Sequence, residues 1–216
     1  MLGIIRVLTT DDDNVLLEHG KRMWETHQVK TITKCIKDQP NGIYDNESEM
    51  IAIPKIIALA DEFMKRDEID AITISCAADP GLDELRSLTD FPILGAGACG
   101  AMAACLVGQQ VAVIGITDQI PLTIEKGLED QFHSYRYDPT LRKTTDLRSP
   151  DAKEKLLAVA QDAIADGADV ILFACTGFST IRLKDYLVTH IDIPVIDLVE
   201  AQATVYELIK RGEEIG

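Results

Sequence analysis

Two stretches of this chain read alike. Residues 71–76 (Ala-Ile-Thr-Ile-Ser-Cys) and 170–175 (Val-Ile-Leu-Phe-Ala-Cys) are each a short apolar run that closes on a cysteine. Small residues follow both, Ala77-Ala78 in the first and Thr176-Gly177 in the second. The cysteines, Cys76 and Cys175, lie 99 residues apart in a chain of 216. Continuous apolar runs of this length are typical of strands buried on both faces of a parallel sheet. The carboxyl ends of such strands are where open α/β sheets bind their ligands. Two like strands in two like halves therefore aim two thiols at one cleft.

The rest of the sequence fits this plan. Strand-like runs near 3–9, 30–36, 70–75, 92–95, 111–116, 169–174 and 193–197 alternate with helix-period segments, which marks βαβ units. Helices are expected near 13–27, 48–66, 80–88, 98–107, 120–132, 150–166, 179–189 and 199–211. In the segment 48–66, Met50, Ile53, Ile57, Ala60 and Met64 fall on one stripe. The order strand-Thr, strand-Cys, Pro-strand occurs twice: Arg6–Thr9, Ala71–Cys76 and Phe91–Gly95, then Ile114–Thr117, Val170–Cys175 and Ile193–Asp197. The fold class is α/β, with two similar lobes of mostly parallel sheet and a cleft between them. The expected lobes are 1–97, carrying Cys76, and 98–198, carrying Cys175, with a final helix in 199–216 that packs back on the first.

A net charge of −15 argues against a nucleic-acid or anionic-membrane partner. A small-molecule substrate remains. No apolar run is long enough for a membrane-spanning helix. Five cysteines, an odd number, without a leader-like amino terminus point to a cytoplasmic protein with free thiols. The four histidines are scattered and no C-x-x-C spacing occurs, so no metal site is expected. The glycines of 95–98 lack dinucleotide-binding spacing, and no cofactor is expected. The Ala/Met-rich helix near 98–107 is a candidate contact for a homo-oligomer.

A thiol beside helix-starting amides can ionise and serve as a base. Cys76 and Cys175 are the candidate catalytic pair, one thiolate removing a proton and one thiol returning it on the opposite face. The small residues Ala77, Ala78, Thr176 and Gly177 let backbone N–H groups approach a substrate. Thr9, Thr10 and Thr117, at strand ends, are candidate substrate ligands, with helix capping as the alternative. Asp79 either turns the chain or orients Cys76, and Tyr44 either covers the cleft or sits in a surface turn. Asp11, Asp12 and Asp13 read as capping residues, and Cys35, Cys99 and Cys105 as packing residues.

The run Ile74–Leu82 (Ile-Ser-Cys-Ala-Ala-Asp-Pro-Gly-Leu) resembles the first catalytic segment of hydantoin racemases, within the aspartate/glutamate racemase superfamily. Ala174–Ser179 (Ala-Cys-Thr-Gly-Phe-Ser) is similar to the second. The resemblance implies cofactor-independent racemisation or epimerisation beside a carbonyl, with Cys76 and Cys175 as the acid–base thiols. Amino-acid racemases of the superfamily often carry His two residues after the second Cys, where this chain has Gly177. They also carry an acidic residue at the end of the first strand, where this chain has Leu8-Thr9-Thr10. Thr9–Asp13 replaces the Asn-Pro-Asn type turn usual in hydantoin racemases. The first two departures favour a hydantoin- or allantoin-type substrate over aspartate or glutamate, while the third departs from the hydantoin racemases themselves and leaves the exact substrate open. Alternatives are an amino-acid racemase, a cis–trans isomerase, a decarboxylase, or a non-catalytic metabolite-binding protein.

Overall fold

The computed structural model describes residues 1–210. Strands β1 (Leu2–Arg6), β2 (Thr31–Cys35), β3 (Ala71–Ser75) and β4 (Ile93–Gly95) form one parallel sheet in the order β2-β1-β3-β4. Strands β5 (Val111–Gly115), β6 (Phe132–Tyr137), β7 (Val170–Phe173) and β8 (Val195–Ile196) form a second in the order β6-β5-β7-β8. The same order built twice makes the two sheets topological copies. The inner strands β1, β3, β5 and β7 are buried along their whole length. That explains their unbroken Ile/Val/Leu character.

Helix α1 (Asp13–Leu16) starts on Asp12, whose side chain accepts from Asn14 N. It is separated from α2 (Glu18–His27) at Leu17, so the single helix expected over 13–27 is two. Helix α3 (Asn46–Met64) opens with a reciprocal cap: Ser48 N donates to Asp45 at 2.8 Å, and Asp45 N to Ser48 Oγ at 3.1 Å. Its core-facing stripe is Ala52, Ile56, Ala60 and Phe63, not the one expected from Met50. Met50 is 73% exposed, and Ile53, Ile57 and Met64 flank the stripe half-buried. Both stripes have helical spacing. The one with small residues wins because alanines let α3 lie close on the sheet.

Helices α4 (Leu82–Leu88) and α5 (Ala96–Val107) complete the first half of the chain. Helix α6 (Leu122–Leu128) ends earlier than the expected 120–132, in a 3-10 turn (Glu129–Gln131) that leads directly into β6. Strand β6, which the sequence reading passed over, is a sheet edge and half-buried throughout. Its Phe-His-Ser-Tyr-Arg-Tyr sequence therefore lacks the apolar signature of the inner strands. After a second 3-10 turn (Thr144–Arg148) come α7 (Ala152–Ala165), α8 (Gly177–Thr180), α9 (Leu183–Leu187) and α10 (Leu198–Ile209). The helix expected over 179–189 is split into α8 and α9 at Arg182, which has a left-handed backbone (φ 56°).

Helix α5 lies between the sheets, touching β3 and β4 on one side and β7 and β8 on the other. Helix α10 packs on α2, α5 and the first sheet. Its buried Gln202 donates to Thr73 Oγ1 and to the Ile74 carbonyl, and Tyr206 OH donates to Asp70 at 2.8 Å. Residues 211–216 of the expected 199–216 tail lie outside the described residues. No helix among the described residues is long and apolar enough to cross a membrane.

Candidate active site

The carboxyl ends of β1, β3, β5 and β7 all open on one cleft of about 1410 Å³. Residues 6–8, 75–79, 116–123 and 174–177 line it, as expected for the carboxyl ends of parallel strands. Both candidate thiols are therefore in the same cavity.

Cys76 begins the turn between β3 and α4 and is half-buried. The backbone N–H of Ala78 favours its thiolate. Burial pushes the thiol up to about 12, and the negative charges of Asp79, Cys175 and Glu49 add to the rise. Cys175, two residues beyond β7, is 8% exposed. Burial pushes it to about 11, against the N–H groups of Gly177 and Phe178, the Thr144 hydroxyl and the Arg6 guanidinium, all of which favour its thiolate. Negative charge on Cys175 disfavours a thiolate at Cys76.

Of the other expected ligands, Ala77, Ala78, Thr117, Thr176 and Gly177 line the cleft. The Thr117 hydroxyl donates to the Gln119 carbonyl at 2.8 Å, and that of Thr176 donates across the cleft floor to the Ser75 carbonyl at 3.1 Å. Thr176 thus ties the second lobe to β3. Thr9 and Thr10 lie just beyond Leu8, the last residue of this segment that lines the cleft. The Thr9 hydroxyl donates to the Ile36 carbonyl at 2.6 Å and accepts Gln39 N at 2.7 Å, which fastens β1's exit to the loop after β2. Thr10 Oγ1 accepts Asp12 N at 3.1 Å and shapes the start of α1. Both hydroxyls are thus engaged with backbone, that of Thr9 as donor and acceptor and that of Thr10 as acceptor.

Asp79 and Tyr44 both line the cleft. Asp79 reaches the first turn of α5, and the Tyr44 ring lies 5.3 Å from the Lys143 ammonium. Cys35 Sγ points to the Thr10 carbonyl at 3.8 Å, and Cys99 is buried in the core. Cys105 Sγ meets the Gly127 carbonyl at 3.5 Å. None of these three lines the cleft.

Three groups at or beneath the cleft escaped the sequence reading. Arg6, at the end of β1, is 3% exposed, and its Nη1 donates to the Val15 and Leu16 carbonyls at 2.7 and 3.2 Å. Burial lowers its pKa to about 10, opposed first by the charges of Cys35 and Cys175. A charged residue closing an apolar strand was the available signal. His19, fully buried, lies with Nδ1 2.8 Å from Ser75 Oγ and Nε2 3.1 Å from Thr180 Oγ1. Thr144 lines the cleft beside Cys175, and no local pattern marks it.

The family model for Asp/Glu/hydantoin racemases matches residues 21–205. The chain belongs to that family. This racemase is 28% identical over 202 residues to a hydantoin racemase from Pseudomonas sp. (strain NS671), covering 89% of this chain and 79% of the relative. It is 26% identical to a hydantoin racemase from Paenarthrobacter aurescens, over 78% of this chain and 73% of the relative. In fold the racemase is similar to allantoin racemase from Klebsiella pneumoniae, with a TM-score of 0.79 at 20% identity, covering 96% of this chain and 86% of that one. A glutamate racemase isoform from Bacillus anthracis aligns with a TM-score of 0.71 at 17% identity, covering 97% and 80%. The expected two-sheet α/β racemase architecture is what the chain adopts, and its activity class is that of an isomerase.

Proposed function

We propose that this racemase inverts a carbon beside a carbonyl in a hydantoin-type ring, with Cys76 and Cys175 as acid and base. The observation that carries this reading is the matched placement of the two thiols. Each follows the third strand of a like-ordered sheet, β3 or β7, and both line one cleft. The Cys175 thiolate takes the proton from carbon, and the C–H electron pair passes into the adjacent carbonyl as an enolate. The Cys76 S–H then delivers its own proton to the opposite face, so the carbon inverts and the charge ends on Cys76. For the mirror-image substrate the roles reverse. Arg6 favours the first anion at Cys175, while Asp79 and Glu49 disfavour one at Cys76. No bond to a cofactor is needed to balance the step.

The cleft's charge supports a neutral ring over a dicarboxylate. Glu47, Glu49, Asp83, Glu84, Asp118 and Glu125 line it, and the pKa of Glu49 is raised by burial and by Glu84. Arg6 and Arg86, which also line it, are turned onto backbone carbonyls, and Lys126 adds one further cation against the acidic excess. A second substrate carboxylate would meet repulsion, whereas a neutral cyclic amide would not. The hydantoin racemase relatives support the same choice. Five unpaired cysteines suit a reducing compartment, so we place the enzyme in the cytoplasm.

The test is proton NMR in heavy water with 5-substituted hydantoins, allantoin, aspartate and glutamate, run on the wild type and on Cys76→Ser and Cys175→Ser. Exchange and racemisation of a hydantoin by the wild type, with racemisation falling by about 10³ or more in both variants, is expected. Full racemisation by either single variant would remove the two-thiol mechanism.

A further inference from the structure

Cys175 lies against a group from a distant element. Gly177, two residues on, has no room for a side chain, because a Cβ there would meet Thr144 Cγ2 at 2.8 Å and Leu147 Cδ1 at 2.9 Å. The same point is 3.2 Å from Cys175 Sγ. The space beside the thiol is therefore filled from the 3-10 turn Thr144–Arg148, on the far side of β6 in the chain. That turn is held firmly. Asp146 Oδ2 accepts Arg142 N and Lys143 N, each at 2.9 Å, and Asp146 N donates to the Lys143 carbonyl at 2.9 Å. Leu147 is buried to 2% exposure and anchors the turn in the core. Across the cleft, the Lys143 ammonium sits over the Tyr44 ring. A Cβ at Gly42 would lie 3.4 Å from Thr144 Oγ1.

We propose that Thr144 completes the site by donating its hydroxyl hydrogen to the Cys175 sulfur, a role that no side chain at 177 has room to fill. The proposal rests on the racemase reading of this cleft. Threonine suits the place because its methyl group faces Gly177 while its hydroxyl is near enough to favour the Cys175 thiolate and can turn onto the sulfur. The donor is neutral, so it supports the thiolate without adding a competing acid to the cleft. The other groups whose charge acts on this sulfur are Arg6 from β1, Cys76 beyond β3 and Tyr135 from β6.

The experiment is alkylation by iodoacetamide at pH 8.5, with each cysteine followed by peptide mass mapping, on the wild type, Thr144→Val and Thr144→Ser. Valine keeps the shape of threonine and removes the donor; serine keeps the donor. Loss of one hydrogen bond to an anion is expected to slow Cys175 alkylation roughly tenfold in Thr144→Val. Cys76 should not slow, and Thr144→Ser should stay near the wild-type rate. With a hydantoin substrate, kcat should fall in Thr144→Val while KM changes little. Wild-type alkylation of Cys175 in Thr144→Val would overturn the proposal, as would equal slowing in Thr144→Ser. Because alkylation needs no substrate, a slowed Cys175 in a protein that racemises no hydantoin would support the hydrogen bond and sink the hydantoin reading instead.

Discussion

The carboxylate of Asp79 accepts the backbone N–H of Gly97 at 2.8 Å and, through its other oxygen, that of Ala98 at the same distance. Asp79 has a left-handed backbone (φ 53°) three residues after Cys76, so this contact pins the cysteine's turn to the first turn of α5. Burial outweighs the two donors and pushes Asp79 up to about 7. A carboxyl raised in the folded state keeps a proton that the unfolded chain releases near pH 4. Its contribution is full below about 4 and is lost as pH rises through 7. Urea midpoints of Asp79→Asn against wild type between pH 4.5 and 8 should show this, the wild type losing up to roughly 4 kcal/mol that the variant does not lose. Parallel pH curves would rule it out.

His19 acts with the opposite sign. It is buried between Ser75 and Thr180, and desolvation and the Arg6 charge hold its pKa well below 6.5. The unfolded chain takes up a proton near 6.5 that the native ring refuses, so stability is lost as pH falls below that point. In Asp79→Asn, where the carboxyl no longer titrates, stability should rise from pH 5 to 7. In His19→Gln it should fall over the same range. The wild type, with both groups opposed, should be flatter than either. Proton uptake on unfolding at pH 6, measured by calorimetry in two buffers of different ionisation heat, checks the assignment; no difference between wild type and His19→Gln would contradict it.

What the sequence shows, and what it hides, follows from how each residue is used. The inner strands were legible because burial on both faces demands unbroken apolar runs. Cys76 and Cys175 were legible because each closes such a run at the ligand-binding end. Strand β6 was not, since an edge strand half in water tolerates His133, Ser134 and Arg136. Nor was His19, a buried polar side chain whose partners, Ser75 and Thr180, lie 56 and 161 residues away. Thr9 and Thr10 are ambiguous in the sequence for a related reason. A hydroxyl at a strand end looks the same whether it meets a ligand or its own backbone.

Arg22 joins the two ends of the chain. Its Nε donates to Glu200 at 2.8 Å, and Nη1 and Nη2 donate to the two oxygens of Asp185 at 3.0 and 2.7 Å. The arginine is 8% exposed, and its removal leaves Glu200, whose side chain is only 14% exposed, with Lys184 as its remaining cationic partner. Arg22→Met should cost about 2 kcal/mol in urea unfolding, through the charge-assisted hydrogen bonds it removes. Arg22→Lys should cost less than Arg22→Met, because it keeps the charge but loses the fork that spans both carboxylates. A methionine variant as stable as wild type would mean that packing, not the ion pair, holds α2 to α9 and α10.

Gly97 faces the turn that carries Cys76. A Cβ there would meet the Ala77 carbonyl oxygen at 2.3 Å and Asp79 Oδ2 at 3.1 Å. The first contact is with backbone, so the turn itself must move. Gly97→Ala should cost about 1–3 kcal/mol through overpacking. It should also lower kcat at least tenfold, because a shift of about 1 Å in a reacting group is enough to do so. Gly167→Ala provides the comparison. Its cost comes from a positive φ of 106° with nothing within 4 Å of the added carbon, and it does not line the cleft. The two variants should lose stability by similar amounts, and only Gly97→Ala should lose turnover. Unchanged kcat in Gly97→Ala would show that Cys76 tolerates displacement of its turn.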